Sequence, residues 1–265
     1  MAHSSIVLPV APSKQRARPW LTIMTALIVR DFWVRFRKYH PALGVILFIE
    51  PVILVAMIAG LRIYLFGKEP SFGPSVLLFM GTGVFPFYIF RRCARGVRAP
   101  KSRAKEYYFV KPFDFLLSRF FIYQIQNFML MVLFFSALYV YGIREAMPWA
   151  PENCLLSLTA VGFLAFGMAL VNSTIQSYFP GWGTIYGFLS RPMMMFSGAF
   201  KTVDLTPEPL RTIYSWNPLS HVIELFRLGF YPNYPHASFD AIYLTKWCVG
   251  IIFVGILFYN NKAKD

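Results

Sequence analysis

The sequence predicts an all-α, polytopic membrane protein: six transmembrane helices, an amphipathic interfacial helix ahead of them, and short re-entrant helices between the fifth and sixth. Three observations predict it. Of the 265 residues, 57% are hydrophobic and only 14% are charged, whereas a soluble domain carries about 25% charged residues. The mean hydropathy is +0.50. Six apolar runs, each near the roughly 20 residues that a membrane helix needs, lie at 42–66, 72–90, 120–141, 154–175, 182–200 and 241–259.

Residues 1–19 mix Pro9, Pro12 and Pro19 with Lys14, Arg16 and Arg18 and read as a disordered cytoplasmic tail. Residues 20–40 place Leu21, Ile28, Phe32, Phe36 and Tyr39 on one helical face, and Arg30, Asp31, Arg37 and Lys38 on the other. A basic amphipathic helix with aromatics suits the plane of the membrane interface. Anchoring to anionic headgroups is a compatible reading. Residues 41–265 then form the transmembrane domain. Its first span carries Glu50-Pro51 and Arg62, Gly81, Gly83 and Pro86 soften the second, and Arg191-Pro192 interrupts the fifth.

The segment 201–240 is too broken to span and too apolar for an ordinary loop. Asn217 is a good N-cap with Pro218 at the first helical position. Leu219, Val222, Ile223, Phe226 and Phe230 share one face, with Glu224 and Arg227 on another, and Gly229 and Pro232 stop the helix. With Pro207 and Pro209 upstream, two short helices dipping into the outer leaflet are expected. Irregular backbone at that depth needs protein or a water-filled cavity around it, which places this segment at the external exit.

Charge sets the orientation. Residues 91–119 hold nine of the 26 Lys and Arg, opposed only by Glu106 and Asp114. With the N-terminal segments, 91–119 and the C-terminus inside, the cytoplasmic side holds 18 basic and four acidic residues, and the outside six basic and seven acidic. The positive-inside rule then puts both termini in the cytoplasm. The +14 net charge does not indicate nucleic acid, because it sits in loops between apolar runs and not on a folded basic face.

Several chemistries are excluded. Cys93, Cys154 and Cys248 stand alone, and the four histidines make no HExxH, so neither a disulfide framework nor a metal site is expected. Gly67-Lys68 lacks the remainder of a phosphate loop. An ATP-driven function therefore requires a partner ATPase, which would bind the ATP and magnesium. No cleavable signal peptide is visible, and the first span is expected to serve as the insertion signal. An ion-coupled carrier usually keeps a relay of membrane carboxylates, and Glu50 is alone. A membrane enzyme acting on lipid-linked sugars needs acid–base or metal residues at one depth, and none cluster.

These residues resemble a known family. ALGVILFIEP (42–51), following a basic aromatic helix, resembles the start of ABC-2 type permeases. FMGTGVFPF (79–87) with its basic loop, and SGAF…PEPLR…WNPLSHVIELFRLGFYP (197–232), resemble the capsular polysaccharide export permeases of Gram-negative bacteria, of the KpsM, BexB and Wzm type. The resemblance covers about residues 25–260. It implies an inner-membrane homodimer with six spans per subunit, two copies of an ATPase subunit beneath it, and a lipid-linked polysaccharide as substrate for capsule biogenesis. A periplasmic polysaccharide co-polymerase and an outer-membrane export partner follow from the same resemblance. O-antigen and lipo-oligosaccharide are alternative cargoes. The sequence departs from the family pattern in its more basic 91–105 segment and in Arg191-Pro192, which leaves the glycan open.

In that frame the segment between spans two and three is the coupling segment. Arg95, Arg98, Lys101, Arg103, Lys105, Glu106, Tyr107 and Tyr108 are the expected ATPase contacts, against the plainer reading of a solvated loop that only sets topology. The substrate conduit is expected to use Arg62 and Arg191, whose guanidinium forks suit carboxylate and phosphate, with Phe85, Phe87, Tyr88, Tyr178, Trp182 and Tyr186 as liners. Arg62 is alternatively a snorkelling side chain, and the aromatics are alternatively interfacial belts or core.

Overall fold

The computed structural model describes residues 20–38, 41–67, 70–96 and 112–262. Among them lie nine α-helices and no strand: α1 (Trp20–Lys38), α2 (Pro41–Phe66), α3 (Val76–Gly96), α4 (Pro112–Val140), α5 (Pro151–Tyr178), α6 (Trp182–Met195), α7 (Leu210–Ser215), α8 (Pro218–Leu228) and α9 (Ala241–Lys262). By length and composition, α3, α4, α5 and α9 are able to cross a membrane. The expected tail 1–19 lies outside the described residues.

α5 is the central helix, packed along α9 on one side and α3 on another, with α8 across its first turns. The α5–α9 crossing is close because both helices place glycine there. A Cβ on Gly167 would come within 2.8 Å of the Ile251 backbone, and one on Gly255 within 2.8 Å of the Gly167 carbonyl. Without water to drive association, such small-residue contacts are how membrane helices gain van der Waals packing. The core is aromatic where α3, α4 and α8 meet: Phe85 lies 4.9 Å from Phe134, and Phe135 lies 4.6 Å from Phe230.

The bundle has two different ends. At one, α1 lies on the start of α4, where Trp20 Nε1 donates to Asp114 (3.2 Å) and Arg119 pairs with Asp31 (3.5 Å). At the other, 196–240 forms a cap over the α2–α3 and α4–α5 connections, with Ala150 N donating to Gly229 O (2.9 Å) and Phe72 against Tyr234 (5.3 Å).

α1 turns Met24, Leu27 and Asp31 inward, the last through its ion pairs, and leaves Leu21, Val29 and Trp33 on an exposed apolar outer face. Three expectations are corrected. The basic segment 91–119 is not one loop: α3 continues through Arg91, Arg92 and Arg95, and α4 begins at Pro112. The second run, expected from 72, becomes helical only at Val76. The fifth run, 182–200, is a helix only to Met195, and the chain then turns through 196–200, where Gly198 takes φ 72°. At 1.5 Å per residue the 14 residues of α6 reach about 21 Å, short of a roughly 30 Å hydrocarbon core.

The crossing is testable. Gly167→Val is expected to destabilise the protein by about 1–3 kcal/mol through overpacking. Gly250→Ala, where an added Cβ meets nothing within 4 Å, is expected to be neutral or slightly stabilising. Thermal unfolding in detergent separates the two.

Candidate functional site

The cap is built around the turn that ends α6. Its carbonyls have left helical pairing in a poorly hydrated place, where an unpaired carbonyl is costly. Two arginines from elsewhere in the chain supply the donors. Arg227 of α8 is fully buried. Its Nη1 donates to Gly198 O (3.0 Å), Lys201 O (3.0 Å) and Tyr234 Oη (3.1 Å), and its Nη2 to Ala199 O (2.7 Å). Its guanidinium also stacks 4.0 Å from the Phe79 ring centroid, a cation–π contact strengthened by exclusion of water. Arg62 of α2 donates through Nη1 to Phe200 O (3.2 Å). Gly83 of α3 makes room for the turn, since a Cβ there would run into the Ala199 carbonyl and the Arg227 guanidinium.

α8 is held in register by its start. Asn217 caps it, accepting from Leu219 N (3.0 Å), while Asn217 Nδ2 donates to Phe196 O (2.8 Å). Pro218 takes the first helical position, as the sequence predicts. The apolar face Leu219, Val222, Ile223, Phe226 and Phe230 is buried as expected. The other face is enclosed as well: Glu224 and Arg227 are buried, at 1% and 0% exposure. α8 is enclosed on both sides because α5 also reaches it, with Ser157 Oγ donating to Val222 O (2.7 Å).

Around α8 the polar groups are mostly paired. Asp204 accepts from Ala237 N (2.6 Å) and Ser238 N (3.0 Å) and pairs with Arg211 (3.5 Å), tying the two halves of the cap together. His221 is buried; Asp240 N donates to its Nδ1 (3.1 Å), so its proton sits on Nε2 and is donated to Ser215 O (2.9 Å). Burial lowers its pKa, in keeping with the neutral tautomer. Glu224 differs, because neither carboxyl oxygen has a hydrogen-bond partner. Burial, then the nearby Asp204, push its pKa up to about 8 against the pull of Arg227 and Arg211, so below that pH it is a neutral acid.

The remaining sequence-predicted residues are dispersed. Phe85 and Phe87 are core residues, 1% exposed. Tyr88 is buried and donates its hydroxyl to Glu50. Arg191 is exposed on α6 and lies over the Phe188 ring at 5.3 Å. Tyr178 is exposed at the end of α5. Trp182 donates to Asn172 Oδ1 (2.9 Å), and Asn172 Nδ2 donates to Ala94 O (3.0 Å), so α6, α5 and α3 meet there with Tyr186 buried beside them. Arg95 is exposed on the last turn of α3, against Gly187. Arg98, Lys101, Arg103, Lys105, Glu106, Tyr107 and Tyr108 lie outside the described residues.

Sequence reasoning missed Arg227, Asn172 and the purpose of Gly83. The signal for Arg227 was an arginine inside an otherwise closely apolar helix, and helical periodicity alone assigns such a charge to solvent.

Glu224→Gln and Arg227→Met are expected to behave oppositely. The native state keeps a proton on Glu224 that the unfolded chain has released, so stability falls as pH rises from about 4.5 to about 8. Glu224→Gln flattens that slope and is more stable than the parent at pH 8. Arg227→Met removes four hydrogen bonds from a charged donor and costs about 3 kcal/mol or more. Thermal unfolding between pH 5 and 8 measures both.

Comparison with known proteins accords with this architecture. Residues 22–231 match the sequence model of the ABC-2 type transporter family. The chain is 24% identical over 248 residues to the polysialic acid transport protein KpsM of Escherichia coli, covering 90% of this chain and 93% of that protein. It is 26% identical over 246 residues to the capsule polysaccharide export inner-membrane protein CtrC of Neisseria meningitidis, covering 91% of each. With the O-antigen export system permease protein RfbA of Klebsiella pneumoniae it shares 27% identity over 209 residues, covering 72% of this chain and 74% of that protein.

Proposed function

The chain belongs to the ABC-2 type transporter family, and from that premise we propose that it is the permease subunit of an exporter that moves a lipid-linked capsular polysaccharide out of the cytoplasm. The observation that carries this reading is that a relative named for polysialic acid transport and one named for capsule polysaccharide export each match nine-tenths of the chain and nine-tenths of their own length. The helical bundle closed at one end by 196–240 supports it, because an export path needs a controlled exit.

In this reading the protein is a homodimer in a bacterial inner membrane, each copy crossing six times, with α2 as one further crossing and α6 together with the 196–200 turn as the other, and both termini are cytoplasmic. The cap then faces the periplasm as the re-entrant segment. The last turn of α3, with Arg95, and the connection that follows it meet a separate ATPase pair. Arg191, Tyr178 and Trp182 are the conduit residues best placed to meet substrate. A periplasmic co-polymerase receives the chain beyond the cap. A second reading, export of O-antigen, is favoured by the match to RfbA.

Deletion of the gene tests the cargo. Capsular polysaccharide is expected to accumulate inside the cell and to be lost from the surface. An unchanged capsule with missing O-chains moves the assignment to the second reading, and no change in either surface glycan sinks both. Purified alone, the chain is expected to hydrolyse no ATP, whereas the complex co-purified with its ATPase hydrolyses it.

A further inference from the structure

Four consecutive carbonyls, from Gly198 to Lys201, each accept a hydrogen bond from a guanidinium. The two donors are unequal. Arg227 holds three of these carbonyls, is fully buried, and rides on α8, which is itself bonded to α5. Arg62 holds only Phe200, through one hydrogen bond, and is half-buried.

α2, which carries Arg62, is also the more weakly seated helix. It packs chiefly on α3, and Ile53, Met57, Leu61 and Tyr64 leave it with an exposed outer face. Among the described residues, Arg62 makes the one side-chain hydrogen bond that joins α2 to the 196–240 cap. An arginine in an apolar helix is expensive unless it is paired, and a snorkelling side chain would turn its head to water. This one turns inward to a backbone oxygen.

We infer that Arg62 is a positioning residue of the exit: its bond to the Phe200 carbonyl is the releasable half of the grip on the 198–201 turn, through which movement of α2 frees the turn while Arg227 keeps it attached to α8. The word exit rests on the export reading proposed above; the latch itself does not. Arg62 in this role spends its charge on the protein's own backbone and is not the group that attracts an acidic glycan.

The test uses the full-length chain in lipid nanodiscs. Cys93, Cys154 and Cys248 are replaced by alanine, and Ser197→Cys is introduced as a reporter, since Ser197 is fully buried beside the turn. Labelling by a membrane-impermeant maleimide is expected to be slow when Arg62 is present. Arg62→Ala is expected to speed it by about tenfold, the effect of losing one charge-assisted hydrogen bond, and Arg62→Lys, which keeps one charged donor, to restore slow labelling. Hydrogen–deuterium exchange of the chain with its native cysteines checks folding. Arg62→Ala is expected to raise exchange over 196–206 and leave 218–228 unchanged. Unaltered labelling in Arg62→Ala overturns the inference, as does exchange rising equally in α8, which would report general unfolding. Loss of export with labelling still slow also overturns it, by assigning Arg62 to the substrate. Fast labelling reversed by lysine supports the latch even if deletion of the gene shows that the cargo is not a capsular glycan.

Discussion

The cap depends on Arg227. A chain that leaves helical geometry inside an apolar surround must find donors for every carbonyl it frees. The turn after α6 frees several in succession, where Gly198 and Ala199 are buried and the Arg227 guanidinium lies over the Phe79 ring. A planar group with several N–H donors in a fixed fork suits that task better than an ammonium. Other features follow from it. Gly83 has no side chain because the turn and the guanidinium occupy that space. Tyr234 presents its hydroxyl to the same group. Glu224, one turn away on α8, is left without a hydrogen-bond partner, because both terminal nitrogens of Arg227 are turned to the carbonyls and to Tyr234.

The same interaction fixes where the bundle is rigid. α8 is bonded to α5 through Ser157 and to the α6–α7 turn through Arg227, while α5 is closely packed on α9 at Gly167 and Gly255. These elements form one mechanical unit. α2 and α6 stand outside it: α2 reaches the cap through Arg62, and α6 is tied to α5 by the Trp182–Asn172 bond. These two helices bear Glu50, Arg62 and Arg191, charged residues that the sequence places within apolar runs.

Much of this was legible beforehand. Apolar runs fell on α2, α3, α4, α5, α6 and α9, with bounds that differ by several residues, and Asn217-Pro218 with the apolar spacing after it gave the start of α8. The misreadings share one cause. Periodicity separates charged from apolar residues without saying what meets the charged ones, so it set Glu224 and Arg227 apart from the apolar face of α8 and gave no sign of their burial. Partners decide instead: an ion pair turns Asp31 of α1 toward Arg119, and hydrogen bonds to carbonyls take Arg227 inward. The break in α6 was also hidden, because SGAF is apolar enough to prolong a hydropathy run while Gly198 ends the helical geometry. Asn172 carried no signal, since one amide in a span does not reveal that it bridges α3 and α6.

This distinction between charges present and charges presented bears on orientation. The sequence count set six basic against seven acidic residues on the cap side, Arg227 and Glu224 among them. Folding removes both from solvent, one against carbonyls and one as a neutral acid below about pH 8. Arg211 is occupied by Asp204. At the other end Arg95 is exposed at the close of α3. The positive-inside rule acts on what the chain shows the membrane surface, and in the folded protein the cap end shows even less positive charge than its composition suggests. In the proposed orientation, with the cap facing away from the cytoplasm, the cation that weakens the sequence count is the one that holds the cap together.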